Sequence, residues 1–289
     1  MDRLLAEFPG HSYDQWRAAA EALLKGAPFE KRLVSQTYED ITIQPIYRRE
    51  DIVDLAQRMD APGSGSLVRG SRRDGFLHTG WEVSQELRAD DPAGLNTLIH
   101  EGFAGGQTEL NITGPAPASI DDILVALDDV DLDAVSLWWN LGTETAKKAE
   151  TILDAYQKIG AATALVKGGF SCDPLTPDAD FEAYGRLTKR CVKEFPELRS
   201  LVADGTAVHN SGGSATQELA VALAAVVTLV EELKSRGIAP SDTLRRIRLT
   251  LAVGSDYFME IAKLRAARWL WSRIAESYGA ADAPVFIHA

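Results

Sequence analysis

From about residue 79 onward, short apolar runs alternate with longer stretches in which apolar side chains recur every three to four positions. The short runs are WEVSQEL near 81–87, TELNI near 108–112, AVSLWW near 134–139, ATALVKG near 162–168, RSLVADG near 199–205, RIRLTLAVG near 246–254 and APVFIHA at 283–289. Between them the 3.6-residue period predicts helices near 93–104, 119–128, 143–159, 178–195, 214–236 and 256–277. Strand, helix, strand repeated this often predicts a parallel sheet with right-handed crossovers. The repeat of roughly 26 to 47 residues fits a doubly wound sheet or a TIM-type (β/α)8 barrel of ~250 residues. The first strand-to-helix turn, ELRADDPAGLN, carries no G-x-G-x-x-G, and no Walker A sequence occurs, which favours the barrel. Only seven strands can be counted, so the barrel is expected to be incomplete at its C-terminal end, with an open edge that something must cover. Either a strand is hidden or the 289 residues are a piece of a longer polypeptide.

The first 75 residues have a different pattern. Ser12 is placed to cap a helix whose stripe is Trp16, Ala20 and Leu23, with Gly26 as its stop. FEKRLVSQTYEDITIQPIY alternates on both sides of Glu39 and Asp40, which predicts a short hairpin. Residues 60–75, DAPGSGSLVRGSRRDG, have no period and are the expected linker. Two domains are expected: 1–75, an extension of helix, hairpin and linker, and 76–289, the barrel.

The segment FMEIAKLRAARWLWSRI, 258–274, is predicted to be helical. Ile261, Leu264, Ala267 and Trp271 share one face, and Phe258, Ala262 and Trp269 widen it into an arc expected to be buried. Lys263, Arg265, Arg268 and Arg273 are left with apolar stems on that arc and charged heads at its rim.

Composition narrows the function classes. A hydrophobic content of 45% supports a large core, and a net charge of −12 without a compensating basic run argues against nucleic acid. No apolar run reaches the ~18 residues that would suggest a membrane span, and MDRLLAEFPGHSYDQW does not read as a signal peptide. The expected location is the cytoplasm. Two cysteines, Cys172 and Cys191, suggest neither a disulfide framework nor a zinc site.

Chemistry is best placed in the loop VADGTAVHNSGGSATQELA, 202–220, after a strand and at the start of a long helix. His209, Asn210 and Ser211 are candidates to touch a ligand, Gly212 and Gly213 would let backbone N–H groups approach an anion, and Ser214 or Thr216 would cap the helix. An ordinary glycine-rich turn with a hydrogen-bonded histidine explains the same residues. Lys167 at a strand end suits a carboxylate or phosphate, or is simply solvated. Arg246 and Arg248 alternate onto one side of a strand and call for anionic partners, from a ligand or from the protein. Asp121-Asp122 and Asp128-Asp129 read as helix-end charges, and no G-x-S-x-G or Ser–His–Asp arrangement occurs.

Taken together, FEKRLVSQTYEDITIQPIY, RG…GW at 69–81, VHNSGGSATQELA at 208–220 and FMEIAKLRAARWLWSRI resemble the methylmalonyl-CoA mutases over nearly the whole chain. The resemblance implies an adenosylcobalamin-dependent isomerase whose barrel carries the coenzyme A chain of its substrate along the axis. GW followed by EVSQEL, and GGFSCDPL at 168–175, look most like the small, non-catalytic subunit. Where catalytic chains read Trp-Thr-Ile-Arg-Gln-Tyr, this sequence has Glu82, Ser84 and Glu86 at the substrate-contacting positions, which sets an anion beside an anionic thioester. His209 matches the catalytic histidine, Arg246 matches a substrate-contacting arginine, Lys167 stands in place of an arginine, and Arg248 replaces a serine. The implied site is therefore His209 as catalytic residue with Lys167, Arg246, Ser214 and Glu86 around an acyl-CoA. The cobalamin motif D-x-H-x-x-G is missing at all five histidines, so adenosylcobalamin would come through the family or a partner chain, and no cofactor or metal is held by these residues. The expected partner is a catalytic large subunit, or a second copy in a homodimer. Three readings stay open: a silent supporting subunit, an isomerase of altered specificity, and a free-standing assembly protein.

Overall fold

The computed structural model describes residues 10–54, 60–65, 67–77, 80–115 and 117–289. The chain divides into two compact units, up to residue 58 and from residue 59 onward. The expected linker at 60–75 belongs to the second unit, where Gly63 N donates to Gly70 O at 2.8 Å.

In the first unit, α1 (Tyr13–Leu23) begins at Ser12, whose hydroxyl accepts from Gln15 N while the Gln15 side chain accepts from Ser12 N. The short helix α2 (Phe29–Leu33) follows, then β1 (Ser35–Gln36) and β2 (Thr42–Ile43), which pair antiparallel about a turn whose Asp40 has φ 59°. Arg17 ties α1 to α2, with ion pairs to Glu21 and Glu30 at 2.9 and 2.8 Å and its guanidinium over the Phe29 ring.

The second unit alternates strand and helix: β3 (Ser84–Arg88), α3 (Pro92–Ala104), β4 (Glu109–Thr113), α4 (Ile120–Ala126), β5 (Ser136–Asn140), α5 (Thr145–Ile159), β6 (Lys167–Phe170), α6 (Phe181–Glu194), β7 (Leu198–Arg199) and β8 (Leu201–Asp204). It continues with α7 (Thr206–Asn210), α8 (Ala215–Ser235), α9 (Pro240–Arg245), β9 (Ile247–Thr250), α10 (Tyr257–Ser277) and β10 (Ile287–His288). The strands pair parallel in chain order, as β3-β4-β5-β6-β7 and as β8-β9-β10. Only Ser200 separates β7 from β8, and Val202 N donates to Cys172 O at 3.0 Å, carrying the second ladder on from the first. A sequential order of this kind is singly wound, which excludes the doubly wound alternative. Among the described residues no ladder joins β3 to β10, so the sheet has the open edge that the strand count led one to expect.

One sheet face is covered by helices. Leu137 and Trp139 point to it, and Trp139 Nε1 donates to the Tyr156 hydroxyl of α5 at 2.6 Å, both groups fully buried. The alternate residues point inward. Trp138 of β5 stacks on Phe286, just before β10, at 6.1 Å between ring centroids, although several strands separate them in the sheet. The sheet therefore curls until its inner face meets itself. Glycine at 168 is needed for β6 to lie this close, because a Cβ there would sit 1.9 Å from Leu137 O and its φ is 101°.

Helix α10 corrects the expected arc. Phe258 is 80% exposed and Trp269 42% exposed, and Ile261 also faces solvent. The face that packs is Glu260, Lys263, Ala267, Trp271 and Ala275, and Lys263 lies inside rather than at the rim. Two polar residues at the start of this stripe displaced the apparent apolar period by one position.

Candidate functional site

In parallel sheets of this kind, the loops after the strand ends are where ligands gather. The loop after β8 forms α7, with His209 in its last turn, and leads to Ser214, which caps α8 through a reciprocal pair with Gln217. The loop after β9, 251–256, is pinned beneath it. Glu218 in the first turn of α8 accepts from Ala252 N at 2.6 Å and from Lys263 Nζ at 2.7 Å. Lys263 also reaches Ala252 O at 2.9 Å and Glu260 Oε2 at 2.6 Å, while Glu260 Oε1 accepts from Gly254 N at 3.0 Å. Burial opposes the ammonium charge of Lys263, but the hydrogen bonds to Glu218 and Glu260 outweigh it and hold the group above its ordinary value. His209 Nδ1 lies 3.7 Å from Glu218 Oε2. Gly254 sits between His209 and Glu260, since a Cβ there would be 3.3 Å from His209 Cε1 and 3.2 Å from Glu260 Oε1.

The inner face of the sheet is charged. Glu109, first in β4 and 2% exposed, accepts from Trp138 Nε1 at 2.8 Å and from Ser136 Oγ at 3.3 Å. Arg248 of β9, 3% exposed, lies 3.6 Å over the Trp138 ring with Nη1 3.9 Å from Glu109 Oε1, and His288 Nδ1 lies 3.7 Å from the same oxygen. Burial draws Arg248 down to about 10, with Glu109 opposing the shift, and draws His288 below its ordinary value, aided by Arg248. Glu82 is pushed up to about 7, first by desolvation and then by sharing a hydrogen bond with Glu109. Asp173 is pushed up to about 6 by burial, with Asp204 adding to the shift. Ser84 Oγ, Asn111 Oδ1, Thr250 Oγ1 and Arg248 Nε and Nη1 have no hydrogen-bond partner among the described residues.

The five residues singled out in the sequence do not converge. His209 and Ser214 lie together after β8. Glu86 stands mid-strand in β3, accepting from Thr113 Oγ1 at 2.9 Å. Lys167 is exposed at the start of β6, the opposite end of the strands from His209. Arg246 precedes β9 at that same opposite end and donates to the carbonyls of Pro196 and Leu198. Glu218, Lys263 and Glu109 were missed. A glutamate and a lysine in otherwise apolar helix faces were the available signal, and only the fold shows that they meet.

Comparison with known proteins decides the family. The family model described as methylmalonyl-CoA mutase matches residues 36–118 and 113–288. The chain belongs to the methylmalonyl-CoA mutase family. A methylmalonyl-CoA mutase small subunit from Streptomyces virginiae is 33% identical over 96% of this chain and 47% of its own length. One from Porphyromonas gingivalis is 34% identical over 96% of this chain and 46% of its own. A methylmalonyl-CoA mutase from Rhizobium meliloti is 25% identical over 91% of this chain and 41% of its own. The chain spans about half the length of these curated relatives. Relatives of both descriptions, small subunit and mutase, match this chain.

Proposed function

We propose that this chain is the barrel part of a small-subunit-type mutase chain, which assembles with a catalytic large subunit and does not itself turn over an acyl-CoA. The observation that carries the reading is the charge of β3 on the inner face. Ser84 pairs in register with Glu109, which faces inward, so Glu86, two residues on, shares that face. A carboxylate there opposes a ligand that is itself anionic. The two relatives at 33 and 34% identity, both described as small subunits, support the same assignment. No helix among the described residues is long and apolar enough to cross a membrane, and the cytoplasm is the proposed location.

The test is assembly and turnover. Co-expressed with a catalytic mutase chain, the protein should copurify in a fixed ratio; alone, with adenosylcobalamin and methylmalonyl-CoA, it should show no isomerisation. Measurable turnover by the isolated chain sinks the reading. The competing assignment, an isomerase of altered specificity, draws on the part-exposed His209 beside Glu218, and it requires coenzyme A thioester binding that is lost in His209→Ala.

A further inference from the structure

Between Glu260 and Glu276, α10 carries no acidic residue, although the chain as a whole has a net charge of −12. Its packed stripe takes Lys263 into the interior, where Glu218 and Glu260 neutralise the ammonium. Phe258, Ile261, Arg265, Arg268 and Trp269 lie on the opposite side, within an arc of about 100° by the helical period. Phe258, Ile261 and Trp269 are all exposed there. Arg265 is exposed and makes no hydrogen bond or ion pair among the described residues. Arg268 is half-buried and donates from Nη1 to Leu264 O at 3.1 Å, a carbonyl of its own helix. Burial, with Arg265 adding to the effect, draws Arg268 below its ordinary value. Arg273, one turn further on, has Glu276 at 2.7 Å. The two cations of α10 without a carboxylate are therefore the two that flank its exposed apolar side chains.

We propose that this outer face of α10 is a docking surface for an acidic amphipathic helix of a partner protein. The inference deepens the reading of the chain as an assembling subunit and rests on it. Apolar side chains of the partner would cover Phe258, Ile261 and Trp269, and carboxylates one turn apart would meet Arg265 and Arg268. From Phe258 to Trp269 the face runs ~16 Å along the axis, the length of about three helical turns. Aromatic and arginine side chains are the ones that concentrate binding energy when a partner removes their water. Arg268 is already held by Leu264 O, so pairing costs it little further freedom. A second copy docked through the same face would set these arginines against their own counterparts across a two-fold axis, and like-charge repulsion opposes it.

Affinity for a catalytic mutase chain, measured by biolayer interferometry, tests the surface. Arg265→Glu and Phe258→Ser both fall at exposed positions, so the fold should keep its native circular dichroism. Each should weaken binding at least roughly tenfold, while Arg265→Lys, which keeps the charge, should retain most of it. Added salt should weaken the native complex, and Arg265→Glu should reduce that dependence. A folded Arg265→Glu/Phe258→Ser chain of undiminished affinity overturns the inference. So does binding to phosphatidylserine vesicles that the same double variant abolishes, which would make the face a lipid-binding one. A native chain that binds no catalytic chain at all would instead overturn the functional reading, and this inference with it, so the two failures are distinguishable.

Discussion

Lys263 Nζ on α10 lies 2.7 Å from Glu218 Oε2 on α8, and neither side chain has exposed surface. With Glu260 at 2.6 Å and the Ala252 carbonyl at 2.9 Å, the ammonium has three acceptors for three donors. Replacing Lys263 by Met would leave the buried Glu218 and Glu260 carboxylates without their cation, and the expected loss is about 3–5 kcal/mol. Adding Glu218→Gln should recover part of it, because the second substitution removes one of the stranded charges. Urea denaturation of both variants checks this; additive losses would show that the network is not a unit.

The carboxyl pair at the start of β3 and β4 gives stability a pH dependence. Glu82 titrates near 7 in the folded chain against an ordinary 4.5, so between these values the folded state holds the proton and the unfolded state does not. Stability from this group is therefore complete below about pH 4.5 and lost as pH rises through 7. Glu82→Gln should flatten that segment of the profile and raise Tm at pH 8, by about 2–4 °C for roughly 1 kcal/mol after discounting for solvent screening. Thermal melts of both chains at pH 5 and pH 8 measure it, and an unchanged difference between the two pH values would refute the assignment.

Much of this fold was legible in the sequence because the strands of a helix-covered sheet read as short apolar runs. The helix near 143–159 is α5, and the run near 108–112 is β4, within a residue or two. What the pattern could not resolve was which polar residues are buried. In α10, Lys263 and Glu260 occupy the packed stripe because Glu218, 45 positions from Lys263, arrives from α8 to share the ammonium with Glu260. The site was legible to a lesser degree for the same reason. His209 and Ser214 share a loop and could be grouped, whereas the contact of Trp138 with Arg248 depends on the curl of the whole sheet.

Strand β6 depends on glycine. Gly168 combines φ 101° with backbone so near that a Cβ would lie 1.9 Å from Leu137 O. Gly168→Ala should separate β5 from β6 at this point and cost about 3 kcal/mol or more, as strain in the left-handed region adds to the clash. Gly160→Ala makes the comparison, since φ there is 88° but no atom lies within 4 Å of the added Cβ. It should cost only about 1 kcal/mol. Equal losses in chemical denaturation would mean that the Leu137 contact contributes nothing.

Arg246 was expected among the substrate contacts, and in the fold it also holds backbone at the start of β7. The guanidinium donates from one nitrogen to the Pro196 and Leu198 carbonyls, the latter at 2.8 Å, and so closes the turn that leads into β7. Burial draws its pKa down, and the two carbonyls occupy Nη1 alone, while Nε has no hydrogen-bond partner among the described residues. Arg246→Ala should therefore cost about 1.5–3 kcal/mol through the lost charge-assisted bonds. Arg246→Lys, which keeps the charge but not the planar fork, should recover only part of that loss. Copurification with a catalytic chain should be unchanged in the lysine variant. A variant that kept its stability but lost binding of a coenzyme A thioester would instead make Arg246 a substrate contact.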